Sequence, residues 1–331
     1  MPNCTPSRYE RFLYTTLWLL EHLFGSHQRL VQTRENLSET IASNISLPDT
    51  IPVEEVPHRR GLSIQEFIKE YRNPLKPVVL KGAAKEWPAC NRWSPDFFAQ
   101  QYASVPVILF DGAVEDIKKE TSAPAHFMSL QEFVQAMQSG SQEYARFLPI
   151  LEKNPELMSD FDSKWLRSAA HRFGGGMKYQ FFMGGPKTST SMHSALGANL
   201  FVQVYGQKQW WIYSTKNTPL MKPAMDRSIF FRSQVSSEDP EGTFQKARGW
   251  TTILEPGDIL YNPPFFWHQA RNLDMSIGVG FRWYALSSML RSSAAQLFMT
   301  ITASNPSLRT VRRLNGNFAR VYAEALEGTV R

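Results

Sequence analysis

Two histidines define the chemistry this sequence could perform. His193 lies in Thr190-Ser191-Met192-His193-Ser194-Ala195, and His268 closes Pro263-Pro264-Phe265-Phe266-Trp267-His268, 75 residues further on. Strand residues two apart share a face. A His-x-Asp/Glu pair therefore aims two ligands at one metal, and a distant histidine completes the 2-His-1-carboxylate set of non-haem iron sites. Here the carboxylate position is Ala195. A methyl group cannot coordinate, so either something else stands there or the site carries no catalytic metal.

Such ligands need a rigid scaffold, and the pattern along the chain supplies one. From Met177 the apolar period is two. Leu200–Tyr205 alternates, Gly206-Gln207 turns, and Lys208–Tyr213 reads as a returning strand. Glu255-Pro256-Gly257-Asp258 is a turn into a strand at Ile259–Asn262. Ile277–Tyr284 is another strand, in which Gly278 and Gly280 leave room for a bulky neighbour. Earlier, Ser63-Ile64-Gln65-Glu66 fits a capping box opening a helix through Tyr71. Pro77–Leu80, closed by Lys81-Gly82, and Val105–Phe110, ended by Asp111-Gly112, read as short strands. Residues 7–40 predict a helix with one apolar face, Ser46–Pro57 a linker, and residues 128–170 mainly helix. After Ser287 the pattern is helical in two segments split at Asn305-Pro306, with Leu308, Val311, Phe318 and Tyr322 at helical spacing. Turn-separated short strands with helices at both ends predict a double-sheet barrel. The expected units are a helix and linker at 1–60, a barrel domain at 61–286 and a helical segment at 287–331.

Bulk properties narrow the class. A chain of 331 residues with 42% hydrophobic and 13% aromatic residues, nine of them Trp, suits one large β-rich domain with a ring-lined interior. The net charge of +6 comes from scattered Lys and Arg. That argues against nucleic acid and leaves an acidic partner or anionic substrate open. Cys4 and Cys90 form neither a disulfide framework nor a zinc motif, which fits a reducing cytoplasm. The longest apolar run, Phe12–Phe24, is interrupted by Glu21 and His22, so no membrane span is expected. Gly184-Gly185-Pro186-Lys187-Thr188 lacks the glycine before lysine that a phosphate loop needs and reads as a turn. Gly174-Gly175-Gly176 reads as a connector or hinge.

Across roughly residues 60–285 the chain resembles the JmjC/cupin-like family of Fe(II)- and 2-oxoglutarate-dependent oxygenases. The resemblance rests on Pro77–Gly82 with Trp87-Pro88 and Trp93, Thr190-x-x-His193, Asn199, Phe201, Gly206-x-Lys208, and Pro256-Gly257-Asp258 through Trp267-His268. It implies a mainly β, double-stranded β-helix (jelly-roll, cupin) fold with flanking helices. It implies His193 and His268 as iron ligands, Thr190, Lys208 and Tyr144 on the distal carboxylate of 2-oxoglutarate, and Asn199 beside that co-substrate. Arg282, Phe201 and Trp283 are further candidates for the pocket.

Where the family pattern has Asp, this chain has Ala195. The non-haem iron halogenases carry Gly or Ala there and seat a halide in the vacated position. Fe(II), two neutral imidazoles and a dianion sum to neutrality, and chloride restores the single negative charge the missing Asp would bring. The expectation is therefore a halogenase using Fe(II), 2-oxoglutarate and chloride or bromide. Its substrate would be a small molecule, amino acid, peptide or carrier-protein-tethered group. The alternatives are a hydroxylase of a small molecule or protein side chain, with water or another carboxylate in the gap, and a non-catalytic cupin. The terminal helices suggest a homodimer, as is common among relatives.

Overall fold

The computed structural model describes residues 5–45, 53–111, 126–148, 150–171, 174–225, 227–235, 243–304 and 309. Two sheets face each other. The six-stranded sheet runs β1 (Glu54–Glu55), β12 (Trp250–Leu254), β10 (Lys208–Tyr213), β14 (Trp267–Asn272), β8 (Ser189–Ser194) and β11 (Phe231–Arg232). The nine-stranded sheet begins β2 (His58–Arg59), β3 (Val78–Leu80), β13 (Ile259–Asn262), β9 (Ala198–Tyr205) and β15 (Ser276–Tyr284). It continues β7 (Gly175–Gly184), β6 (Glu143–Leu148), β4 (Pro106–Asp111) and β5 (His126–Ser129). This is the jelly-roll arrangement the sequence predicts.

Strand alternation sorts the side chains into layers. On β9, Leu200, Val202 and Val204 join a large cluster beneath the short helices, whereas Phe201 joins the cluster between the sheets. On β10, Trp210 and Ile212 face the inter-sheet cluster while Tyr213 packs outward with the terminal helices. The glycines of β15 permit this packing. A Cβ at Gly278 would come within 2.2 Å of the Phe201 ring, and one at Gly280 within 2.9 Å of Asn199 Oδ1.

Several expectations change. Residues 7–40 form two helices, α1 (Arg8–Phe24) and α2 (Gln28–Asn44), broken where Gly25 takes φ 92°. Buried Arg34 of α2 donates to Glu21 Oε2 at 2.6 Å and to Tyr14 Oη at 2.7 Å on α1, holding the hairpin together. Residues 143–148 interrupt the expected helical stretch as β6, because their outward and inward faces are both covered. β9 and β10 do not pair as a hairpin. Gly206, at φ 65°, carries the chain from one sheet to the other, and β10 pairs with β12 and β14. The capping box at Ser63 forms, but after Phe67 the helix widens into a π-turn over Ile68–Arg72. Gly175 and Gly176 open β7, and a Cβ at Gly176, which takes φ 63°, would come within 2.3 Å of the Tyr284 ring. Cys4, Gly112, the Asn305-Pro306 split and the residues 308, 311, 318 and 322 lie outside the described residues. Among the described residues no helix is long and apolar enough to cross a membrane.

Candidate metal and co-substrate site

His193 on β8 and His268 on β14 are direct cross-strand partners, and their ring centroids lie 4.2 Å apart. Each ring is held by the same device. His193 Nδ1 sits 2.8 Å from the carbonyl of Ser191, and His268 Nδ1 sits 2.9 Å from that of Phe266, in both cases two residues back. An Nδ1–H donating to a carbonyl places the lone pair on Nε2 and fixes ring orientation, the outer-shell arrangement of metal-bound imidazoles. Burial, the neighbouring His193 and then Arg282 push His268 well below the ordinary histidine range, so it is neutral and able to coordinate.

Thr190 and His193 are three residues apart, which in a regular strand would send them to opposite faces. The ladder resolves this. His193 pairs with His268 but Thr190 pairs with Ala270, so β8 carries one extra residue and bulges between them. Both side chains consequently line one pocket. The turn before His268 is tied to the same strand. Phe265 N donates to Ala195 O and Ser194 Oγ to Phe265 O, both at 2.8 Å, with Phe265 at φ 61°.

The opposite end of the pocket holds Lys208, 1% exposed, whose Nζ donates to Tyr144 Oη at 2.8 Å. Burial, then the nearby Arg146 charge, lowers the Lys208 ammonium to about 7. Burial raises the Tyr144 phenol. Thr190 Oγ1 accepts from Ala270 N at 3.2 Å, which leaves its O–H as a donor toward the pocket. Asn199 Oδ1 and Trp210 Nε1 are buried, pocket-lining atoms with no hydrogen-bond partner.

The pocket thus gathers His193, His268, Ala195, Thr190, Lys208, Tyr144, Asn199, Phe201 and Arg282. It does not include Trp283. That residue has the opposite parity to Arg282, joins the outer cluster, and donates from Nε1 to His171 Nδ1 at 3.0 Å. Lys208 reaches the site from β10, which pairs with β14, the strand of His268, rather than with β9, the strand into which His193 leads. Sequence reasoning missed Arg146 and Arg232 as pocket residues, whereas Trp210, one of the aromatics it reads chiefly as core, lines the pocket. Arg146 stands two residues from Tyr144, a signal legible only once residues 143–148 are read as a strand. Arg232 lies opposite His193 through a two-residue strand with no local signature. Trp210 stacks on His268 at 5.7 Å and 17°.

Two neutral nitrogen donors fit two positions of a non-haem iron. Among the described residues no group of three His, Cys, Asp or Glu could hold a metal, and no Asp or Glu lines the pocket. Among the described residues no third protein ligand takes the place that Ala195 leaves vacant.

A family model for the cupin-like domain matches residues 64–289. The chain belongs to the cupin-like domain family. Relatives include lysine-specific demethylase 8 of Xenopus tropicalis, 27% identical over 69% of this chain and 52% of that protein. Lysine-specific demethylase JMJ30 of Arabidopsis thaliana is 28% identical over 71% of this chain and 56% of that protein. Arginine-specific demethylase JMJ22 of the same plant is 23% identical over 88% and 58%. The chain spans about half to three-fifths of the length of these relatives.

Proposed function

We propose that this cupin-like chain is an Fe(II)- and 2-oxoglutarate-dependent oxygenase that hydroxylates a protein side chain. The observation that carries this reading is the pairing of two carbonyl-oriented histidines with a buried Lys208–Tyr144 couple in one pocket. His193 and His268 would hold the iron. Lys208 and the Thr190 hydroxyl would hold the distal carboxylate, with Tyr144 positioning the Lys208 amine, since a buried anion needs charge-assisted donors. Asn199 would meet the co-substrate edge-on from β9. Iron with bound 2-oxoglutarate supplies the oxidant for an unactivated C–H bond. The apolar wall of Phe147, Phe182 and Phe201 excludes water from it. Relatives named as lysine- and arginine-specific demethylases support a protein substrate and oxygen insertion.

Ala195 favours a second reading, halogenation. Its methyl, at the position of the usual carboxylate, leaves volume for a halide, and no carboxylate among the described pocket residues competes. One experiment addresses both. Protein with Fe(II) and 2-oxoglutarate under anaerobic conditions is titrated for the visible charge-transfer band, with and without chloride. Substrate peptides carrying lysine or arginine are then turned over and weighed. A product heavier by one oxygen, independent of halide, supports hydroxylation; incorporation of chlorine, with its two-isotope pattern, replaces it with halogenation. No band in either condition removes both.

A further inference from the structure

A second concavity runs along the outside of the barrel. One cleft, of about 420 Å³, is bounded by the Pro74–Pro77 loop, Trp250, Phe266 and Arg291. A second, of about 410 Å³, is bounded by Arg11, Phe12 and Trp18 of α1 and by Ser293 and Ala295. They share Thr215, Lys216 and Ser292, so they form one continuous groove. The helix Leu286–Ile301 breaks at this junction, where Ser293 takes φ −161° and ψ 99°. The break turns the carbonyl of Ser292 out of the helical ladder to accept from Thr215 Oγ1 at 2.8 Å.

We propose that this groove docks an acidic, extended segment of a protein partner. Charge complementarity is the first argument. Arg8, Arg11, Lys76, Lys216 and Arg291 line the two clefts, and no Asp or Glu does among the described residues. None of the five has an ion-pair partner among the described residues, in contrast to Lys81, Arg92 and Lys222, whose carboxylate partners are in place. Burial and then the Arg8 charge lower the Arg11 guanidinium, a crowding of like charge that an anion would relieve. The second argument is an unused donor. Trp18 is 2% exposed, lines the groove, and its Nε1–H has no partner. A carbonyl or carboxylate of a docked chain would satisfy it.

The shape favours a polypeptide over a nucleic acid. Binding a single-stranded nucleic acid calls for open ring faces on which bases stack. Here Trp250 already stacks on Phe266 at 6.4 Å and 15°, and Trp18 is closed against Phe231. The floor of Tyr71, Trp250, Phe266, Pro57 and Pro74 suits apolar side chains alternating with acidic ones. The groove is outside the barrel pocket, and the proposal does not rest on the reaction assigned to that pocket.

The test uses the full chain and a fluorescein-labelled peptide of alternating glutamate and leucine, read by fluorescence anisotropy. Saturable binding that weakens as salt rises is expected. Lys216→Glu and Arg11→Glu should each weaken it about tenfold, a change of about 1.4 kcal/mol. Lys164→Glu, an equal charge change at an exposed residue outside both clefts, should leave it within a factor of two. Unchanged thermal melting shows that the variants fold. Absence of saturable binding overturns the proposal. So does an equal effect of Lys164→Glu, which would reduce the attraction to net charge. A single-stranded oligonucleotide of the same charge binding more tightly than the peptide would assign the surface to nucleic acid instead.

Discussion

The barrel pocket and the outer groove are both lined with cations, yet burial gives them opposite properties. In the pocket Lys208 is 1% exposed and titrates near 7, while the groove's Lys216 and Arg291 are solvated and Arg11 is half-buried. The pocket offers about 60 Å³ of free space against about 420 Å³ in one cleft of the groove. A desolvated lysine is charged at neutral pH only when an anion replaces its lost water, so it selects for a small, strongly charged ligand. Solvated cations attract any acidic surface weakly and lose that attraction to salt. One region is built for chemistry and the other for encounter.

The sharpest way to break the comparison is to remove the feature the groove lacks altogether. His193→Ala or His268→Ala leaves a single imidazole, and the anaerobic charge-transfer band with Fe(II) and 2-oxoglutarate should disappear. Groove variants should retain it at full intensity. A normal band in both histidine variants would mean the metal is held elsewhere.

Next in size is the hairpin that forms the groove's α1 wall. The Arg34–Glu21 pair is buried on both sides, with Tyr14 as a further acceptor. Arg34→Ala strands a buried carboxylate, and such losses amount to about 3–5 kcal/mol. Denaturant unfolding should show that loss. If the hairpin is needed only for the groove, iron and 2-oxoglutarate binding at temperatures below the transition should persist.

The two regions also differ in how far the sequence revealed them. The jelly roll was legible because period-two strands and their turns are local signals, and the two histidine motifs are contiguous. Ala195 announced its missing ligand directly. Tyr144 was found, but its strand was misread as helix, because residues 143–148 carry apolar side chains on both faces. The β8 bulge that brings Thr190 and His193 to one side is set by pairing with β14 and leaves no mark on the spacing itself. Arg232 arrives by a non-local pairing, and the groove joins α1 to residues roughly 200 and 280 positions away. Such juxtapositions belong to the fold rather than to any segment.

Lys208 gives the third prediction and a pH signature the groove should not share. Lys208→Ala removes a charge-assisted hydrogen bond of about 1.5–3 kcal/mol, so 2-oxoglutarate should bind about 10- to 150-fold more weakly by anaerobic titration. An unchanged affinity would transfer the anchoring role to Arg282. In the empty pocket the ammonium titrates near 7, and a bound dianion must raise that value. Between the two values binding takes up a proton. Affinity should therefore be flat below about pH 7 and fall above it, by up to about tenfold per unit. The folded value lies below the ordinary lysine value, so the unfolded chain binds more protons. Stability of the empty protein should accordingly rise with pH from about 7 until ordinary lysines deprotonate.

The smallest effect tests the bulge. Thr190 Oγ1 already accepts from Ala270 N at 3.2 Å, so its remaining capacity is one neutral O–H donor toward the co-substrate. Thr190→Val keeps the shape, removes that donor, and leaves the Ala270 amide without its acceptor. A neutral hydrogen bond is worth about 1 kcal/mol net, which corresponds to about fivefold in 2-oxoglutarate affinity. The Ala270 loss should register separately, as a lower unfolding midpoint in the absence of ligand. Thr190→Ser restores both roles and should recover both readings. If Thr190→Val lowers stability but leaves affinity untouched, the hydroxyl serves the strand alone, and the bulge brings Thr190 to the pocket without giving it a ligand to hold.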